Sequence, residues 1–170
     1  VSLLIEHGSN ILYETQENSN SAFLICIKKS RNDLMQFLLN KLTLNQREFL
    51  SSNSQYLNYG IAARQPKIVK LLIPFLKDIN ACDYSGRTFL EQAIEVALIL
   101  DVFKLSDRNW NGKEKINFKE ALEVIDLLLL NGANINENPN FSILLHDVFR
   151  SPSVLRHFVE KGLDLTKTVE

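Results

Sequence analysis

Residues 124–136 read VIDLLLLNGANIN and decide the fold class of this chain. Apolar residues recur there at helical spacing, and Gly132 stands just past them, where a glycine can take the left-handed conformation that closes a helix. The apolar triplet inside this stretch, which begins at Leu127, returns at Leu3-Leu4-Ile5, Phe37-Leu38-Leu39, Leu71-Leu72-Ile73 and, more weakly, His157-Phe158-Val159. The first three triplets are evenly spaced, the gap before Leu127 is much longer, and the last gap is slightly shorter. This period predicts a stack of repeated helical units.

Each unit is predicted to contain a turn, a short first helix, a second helix that carries the triplet, and a closing turn. One copy, residues 83–94, reads DYSGRTFLEQAI. Gly86 supplies a turn with positive φ. Thr88 and Glu91 have the spacing of a capping box, in which each side chain accepts a hydrogen bond from the backbone N–H of the other residue. Because one helix pair cannot bury its apolar stripe alone, we expect stacked neighbours to bury it jointly.

This pattern resembles the ankyrin-repeat family, whose first helix opens with Thr-Pro-Leu-His-x-Ala. Residues 88–93, TFLEQA, keep the Thr, the Leu and the Ala of that signature, and residues 145–146 keep the Leu and the His. The resemblance covers nearly the whole chain and implies an all-α ankyrin-repeat solenoid of stacked helix-turn-helix units. The predicted single array is divided into 1–12 (a second half only), 13–46, 47–80, 81–136 and 137–170.

Three parts of the chain depart from this regular array. We expect segment 43–54 to be an irregular linker in place of a clean hairpin turn. The chain also opens and closes within the pattern, so we expect further repeats or another domain, at least on the N-terminal side. The repeat at 81–136 carries an insertion near 98–120, which accounts for the long gap between the triplets that begin at Leu71 and Leu127.

The insertion is predicted to lengthen both helices of its repeat. Apolar residues continue at helical spacing past the expected end of the first helix, turn-forming residues follow, and a second helix restarts near Asn117. We expect an antiparallel hairpin that projects beyond the stack, with the only tryptophan, Trp110, in its loop. Two interpretations stay open. The projection contacts a partner through an aromatic tip, or it is a tolerated insertion whose apolar residues pack within the hairpin.

Composition favours a folded intracellular protein without catalytic chemistry. Apolar residues make up 45% of the chain, charged residues 23%, and the net charge is −1, which gives no sign of nucleic-acid binding. Cys26 and Cys82 lack metal-site spacing and fit a reducing compartment. No apolar stretch reaches the roughly 18–20 residues of a membrane span. Without a phosphate loop or a nucleophile beside a base, we predict no catalytic residue, no metal and no cofactor.

The predicted function is a protein–protein interaction scaffold. The resemblance implies that contacts come from turn tips and from the concave face of the first helices. With the insertion loop added, the candidate contact residues are Asp83, Tyr84, Ser85, Arg87, Lys28, Lys29, Tyr59, Gln92, Glu95 and Trp110. The partner is predicted to be another protein, and the array is expected to be a monomer that binds neither nucleic acid nor membrane.

Two alternatives to a free-standing scaffold remain. The array can be the targeting or substrate-recruiting module of a larger enzyme or secreted effector, or it can be a structural spacer. Abundant Asn and an excess of Lys over Arg, with degenerate repeats, resemble ankyrin effectors of intracellular bacteria. The expected location is the cytoplasm, which would be the host cytosol for a secreted effector.

Overall fold

The computed structural model describes residues 7, 10–12, 21–83, 85–106, 118–134 and 141–162. These residues form nine α-helices and a short 3-10 helix at Ile73–Phe75. The α-helices are α1 (Ala22–Lys28), α2 (Asn32–Asn40), α3 (Leu44–Ser52), α4 (Gln55–Ala62), α5 (Pro66–Leu72), α6 (Phe89–Ser106), α7 (Phe118–Leu130), α8 (Phe141–Phe149) and α9 (Pro152–Glu160). No sheet forms within these ranges. The predicted all-α fold class is therefore confirmed.

Contacts divide the chain into two compact units, unit 1 (1–77) and unit 2 (78–170). Unit 1 contains the pairs α1–α2 and α4–α5, and unit 2 contains the pairs α6–α7 and α8–α9. Each pair falls inside one of the predicted repeats, while the exact repeat boundaries stay predictions. Each unit thus shows the stacking of helix pairs that the period predicts.

Unit 1 is held together by packing between like helices of its two pairs. Helix α1 packs on α4, and α2 packs on α5. Phe23 of α1 and Tyr56 of α4 are both buried, and their ring centroids lie 5.4 Å apart, within the distance at which aromatic pairs interact favourably. The rest of this core is aliphatic, with Ile27, Met35, Leu57, Ile61, Ile68 and Val69 among its buried members.

The helix–helix turns of unit 1 repeat the same backbone hydrogen bonds at equivalent positions of two successive repeats. The N–H of Arg31 donates to the carbonyl of Cys26 at 2.9 Å, and the N–H of Gln65 donates to the carbonyl of Gly60 at 3.0 Å. The residue before each donor has a positive φ, 51° and 55°, although neither is a glycine. Both helices therefore end in the same closing arrangement, with a left-handed residue after the last turn.

Helix α3 occupies the segment that was expected to be an irregular linker, so that prediction is wrong. Thr43 and Gln46 form a capping box that starts the helix, with N–H to side-chain distances of 3.0 and 3.4 Å. Leu50 is buried, and Arg47 of the same helix lies 6.0 Å from the ring centroid of Phe75 in the 3-10 helix. The helix was not predicted because its sequence is mostly polar and Leu50 is its buried residue.

Unit 2 is organised around the long helix α6. It packs along α7 and also contacts both helices of the last pair, α8 and α9. Ala93, Ile94 and Ala97 of α6 are buried, as are Val124 and Ile125 of α7. The predicted capping box at the start of α6 is confirmed: Thr88 N–H donates to the Glu91 carboxylate, and Glu91 N–H donates to Thr88 Oγ1 at 3.2 Å.

Helix α6 continues to Ser106, and α7 begins at Phe118, directly after the predicted restart near Asn117. The first part of the extension belongs to the packed core, because Leu98, Leu100 and Asp101 are buried. Asp101 accepts a 2.6 Å hydrogen bond from Ser151 Oγ in the turn before α9. The hairpin loop with Trp110 lies outside the described residues, so the projecting insertion stays a prediction.

Replacing Gly132 with Ala is expected to lower the free energy of unfolding by about 1–2 kcal/mol, because a Cβ disfavours left-handed backbone. Gly132 closes α7 with a φ of 94°, next to the 3.0 Å bond from Ala133 N–H to the Leu128 carbonyl. Gly132→Asn should cost less, since asparagine tolerates this conformation. Urea unfolding of the wild type and both variants measures the effect. An Ala variant as stable as the wild type would contradict it.

Candidate partner-binding surfaces

A short finger in unit 2, residues 82–88, is the first candidate surface. Cys82 and Thr88 form an isolated antiparallel bridge at its base. Across the finger, Asp83 N–H donates to the Arg87 carbonyl at 2.8 Å, and Gly86 N–H donates to the Asp83 carbonyl at 3.0 Å. Gly86 has the predicted positive φ, 76°, and it is exposed together with Ser85. Backbone bonds therefore hold the finger in one shape while its tip faces solvent.

The Asp83 side chain stabilises this finger from within. Its Oδ1 accepts hydrogen bonds from Ser85 N–H at 2.8 Å and from Arg87 N–H at 3.0 Å. Its Oδ2 lies 3.3 Å from both the Arg87 guanidinium and the Gln92 amide nitrogen. The backbone N–H of Arg87 is the main cause that lowers the pKa of Asp83, so the carboxylate stays ionised. Only 8% of the side chain is exposed, which leaves it little surface for a partner.

A polar surface extends from the finger to α6 and consists of the Arg87 side chain of the finger with Gln92 and Glu95 of α6. Arg87 Nη1 lies 3.0 Å from Glu95 Oε2, and both side chains remain about two-fifths exposed, at 40% and 41%. Tyr84 and Trp110 fall outside the described residues. Whether any of these residues contacts a partner stays a prediction.

The first-helix face of unit 1 is the second candidate surface, and we define it by Ile25, Lys28, Lys29, Tyr59 and Ala62. Lys28, Lys29 and Ala62 are exposed. Ile25 and Tyr59 stand at equivalent positions of two successive repeats and remain 48% and 37% exposed. Since α1 packs on α4, this face places two apolar side chains beside two lysines.

Sequence reasoning missed Ile25 as a surface residue. Isoleucine is usually buried, and it stands between buried residues in α1. The signal that could have found it is its position in the repeat, which is the same as that of Tyr59, a residue that sequence reasoning did identify.

The described titratable side chains include a cluster that links two helices of unit 2. His157 Nε2 and Lys161 Nζ each lie 2.9 Å from Asp126 Oδ1, so a hydrogen bond and a Lys–Asp ion pair connect the end of α9 to α7. Burial raises the pKa of the Cys26 thiol, while Cys82 is exposed. Within the described ranges, no group of three or more His, Cys, Asp or Glu residues is placed to hold a metal ion. None of the helices there is long and apolar enough to cross a membrane.

Comparison with known proteins supports the repeat class. No family model matches the chain. The chain is similar to "Ankyrin repeat domain-containing protein OPG015" of Monkeypox virus, with 26% identity over 141 residues. The match covers 80% of this chain and 26% of that protein, so the chain spans about a quarter of the relative's length.

With the stacked helix pairs, this similarity gives an all-α, ankyrin-like repeat fold. Such repeats serve in general as protein-interaction modules. The relative is viral, and the predicted origin in an intracellular bacterium gains no support from it.

Proposed function

We propose that this chain is a protein-binding repeat module that contacts its partner through the finger of unit 2 and the first-helix face of unit 1. The observation that carries the proposal is the paired exposure of Ile25 and Tyr59 at the same position of two successive repeats. Exposed apolar side chains that line up on neighbouring elements are typical of interaction surfaces. Tyrosine is also enriched among the residues that dominate binding energy.

The first-helix face is also preorganised for binding. Tyr59 OH lies 2.9 Å from Gln55 Nε2, one turn earlier in α4. This hydrogen bond limits the rotation of the phenol. A side chain already held in place loses less entropy when a partner covers it.

Tyr59→Arg is expected to weaken partner binding about tenfold or more, the scale of a moderate interface residue. The matched control is Leu44→Arg, which places the same new charge on an exposed apolar position of α3 in the same unit, where Leu44 is 84% exposed. Affinity capture from cell extract, followed by mass spectrometry, would compare both variants with the wild type. The proposal fails if Tyr59→Arg captures the wild-type set of proteins in full.

A second candidate function is the recruiting module of a larger enzyme or effector. What supports it is the match to a quarter of a longer protein. For either function we expect a monomer in the cytoplasm that binds neither nucleic acid nor membrane. Assaying the longest natural form of the protein with and without residues 1–170 would separate the two functions. A recruiting module would change the substrates that are modified, whereas a free-standing scaffold has no activity to redirect.

A further inference from the structure

Charge is distributed unevenly between the two units. Residues 21–77, the main described part of unit 1, contain nine basic and two acidic residues. The basic residues are Lys28, Lys29, Arg31, Lys41, Arg47, Arg64, Lys67, Lys70 and Lys77, and the acidic ones are Asp33 and Glu48. Residues 78–170 contain ten basic and fifteen acidic residues. Residues 1–20 add Glu6, Glu14 and Glu17 and no Lys or Arg, so unit 1 as a whole contains nine basic and five acidic residues. The near-neutral charge of the whole chain therefore combines a basic unit 1 with an acidic unit 2.

Five of these basic residues lie along one side of unit 1, which we call the basic edge: Lys28, Lys29, Arg31, Arg64 and Lys67. They flank the two turns that join α1 to α2 and α4 to α5. These turns are neighbours because α1 packs on α4 and α2 packs on α5.

A direct hydrogen bond links the two turns. The Gln65 side-chain amide donates to the carbonyl of Ile27, the residue before Lys28. The repeated backbone bonds give both turns the same backbone conformation.

Most of the positive charge on this edge is not compensated by carboxylates. The charge of Arg31 is compensated, because its guanidinium makes two hydrogen bonds to Asp33, at 3.0 and 2.9 Å. This pairing lowers the pKa of the exposed Asp33 carboxyl to about 2. Lys29, Arg64 and Lys67 have no carboxylate within 4.0 Å among the described residues. Lys29 and Lys67 are exposed, and Arg64 is half-buried.

The basic edge adjoins the exposed apolar residues of the first-helix face. Ile25 lies one helical turn before Lys28, the last residue of α1, and Lys29 follows it directly. Tyr59 lies three residues before Ala62, the last residue of α4, and Arg64 stands in the turn just after that helix. A ligand that crosses both surfaces meets two apolar side chains and then a row of cations. Neither an uncharged apolar peptide nor a simple inorganic anion complements this combination.

We infer that the basic edge, together with Ile25 and Tyr59, binds an acidic segment of a partner protein that also carries apolar side chains. This inference rests on the proposed protein-binding function and names the chemistry of the partner. A long polyanion such as a nucleic acid fits less well. A nucleic acid carries no aliphatic side chain that could cover the exposed Ile25, whereas an acidic peptide segment can carry both carboxylates and apolar side chains.

The test uses the full 170-residue chain and a fluorescein-labelled peptide of Glu and Asp interspersed with Leu. Fluorescence anisotropy should show saturable binding that weakens as NaCl is raised, because exposed charge pairs are screened. The double variant Lys29→Gln/Lys67→Gln should bind the peptide about three- to thirty-fold more weakly, the effect of losing two exposed ion pairs. Arg64→Gly should also weaken binding without loss of fold, because glycine suits its φ of 55°.

The matched control is Lys41→Gln/Lys77→Gln, which removes the same charge from unit 1. Lys41 follows α2 and Lys77 follows the 3-10 helix after α5, so both lie at the opposite ends of the second helices from the basic edge. This control should bind the peptide with nearly wild-type affinity. Circular dichroism of every variant verifies that the helices are retained.

Four outcomes would overturn the inference. They are no saturable peptide binding, equal weakening in both double variants, tighter binding of an oligo-dT strand, and tighter binding of phosphatidylserine vesicles. The proposed function has a separate readout. If the chain does not bind the acidic peptide but Tyr59→Arg still captures fewer proteins than the wild type, the chain binds proteins and the inferred acidic character of the partner segment is wrong.

Discussion

Phe23→Ala is expected to lower the free energy of unfolding by about 3–5 kcal/mol, the usual cost of removing a fully buried phenylalanine from a core. Phe23 is 0% exposed, and its ring centroid lies 5.4 Å from that of Tyr56. Because this contact joins α1 to α4, the substitution removes packing both within one helix pair and between two pairs. In a repeat protein, stability is a sum of unit and interface contributions, and this change weakens both.

The matched control for Phe23→Ala is Phe49→Ala on α3, where the ring is 50% exposed. The same atoms are removed there, but much of the ring already contacts water, so the cost should be well below that at Phe23. Urea unfolding followed by circular dichroism measures both. The packing account is contradicted if the two variants are destabilised equally.

Ser151→Ala is expected to cost about 2–4 kcal/mol, because a single hydroxyl makes two buried hydrogen bonds. Ser151 Oγ donates to Asp101 Oδ2 at 2.6 Å and accepts from Val154 N–H at 3.3 Å, which caps α9. Without it, the helix loses its N-cap, and the buried carboxyl group of Asp101 loses its hydrogen-bond donor. Leaving a buried polar group without its partner costs more than the bond itself contributes.

Ser153→Ala, in the first turn of α9, serves as its control, since Ser153 is exposed. That change should alter the stability by less than about 0.5 kcal/mol, as surface substitutions usually do. Ser151→Thr keeps a hydroxyl and should recover part of the lost stability. If Ser151→Ala unfolds at the wild-type urea concentration, the Asp101–Ser151 bond has no structural importance.

Sequence alone predicted the features that depend on local chemistry. The capping box at Thr88 and Glu91 and the left-handed glycines Gly86 and Gly132 follow from residue type and short spacing, and the structure contains all of them. The period of the apolar triplets similarly predicted the helix pairs. Local rules suffice there because, in a repeat protein, each repeat contacts mainly the adjacent repeats.

Features that depend on distant partners were out of reach. Helix α3 has a weak apolar stripe, so its packing through Leu50 could not be deduced from periodicity. Aspartate is typical of exposed turns, yet the Asp83 side chain accepts hydrogen bonds from backbone N–H groups within the finger. Asp101 lies in the segment that the sequence predicts as a projecting insertion, although it is buried and accepts a hydrogen bond from Ser151, far along the chain. Burial of a polar side chain is decided by the element it meets, which one segment does not reveal.

The two cysteines give the native chain a built-in pair of chemical probes, one in each unit. A cysteine thiolate attacks maleimides and disulfide reagents, and it does so only where the reagent can reach it. Cys82 is exposed, whereas Cys26 is 0% exposed and its pKa is raised by burial. A single dye therefore marks unit 2 while the protein stays folded. Slow reaction at Cys26 then reports the opening of unit 1, without any engineered labelling position.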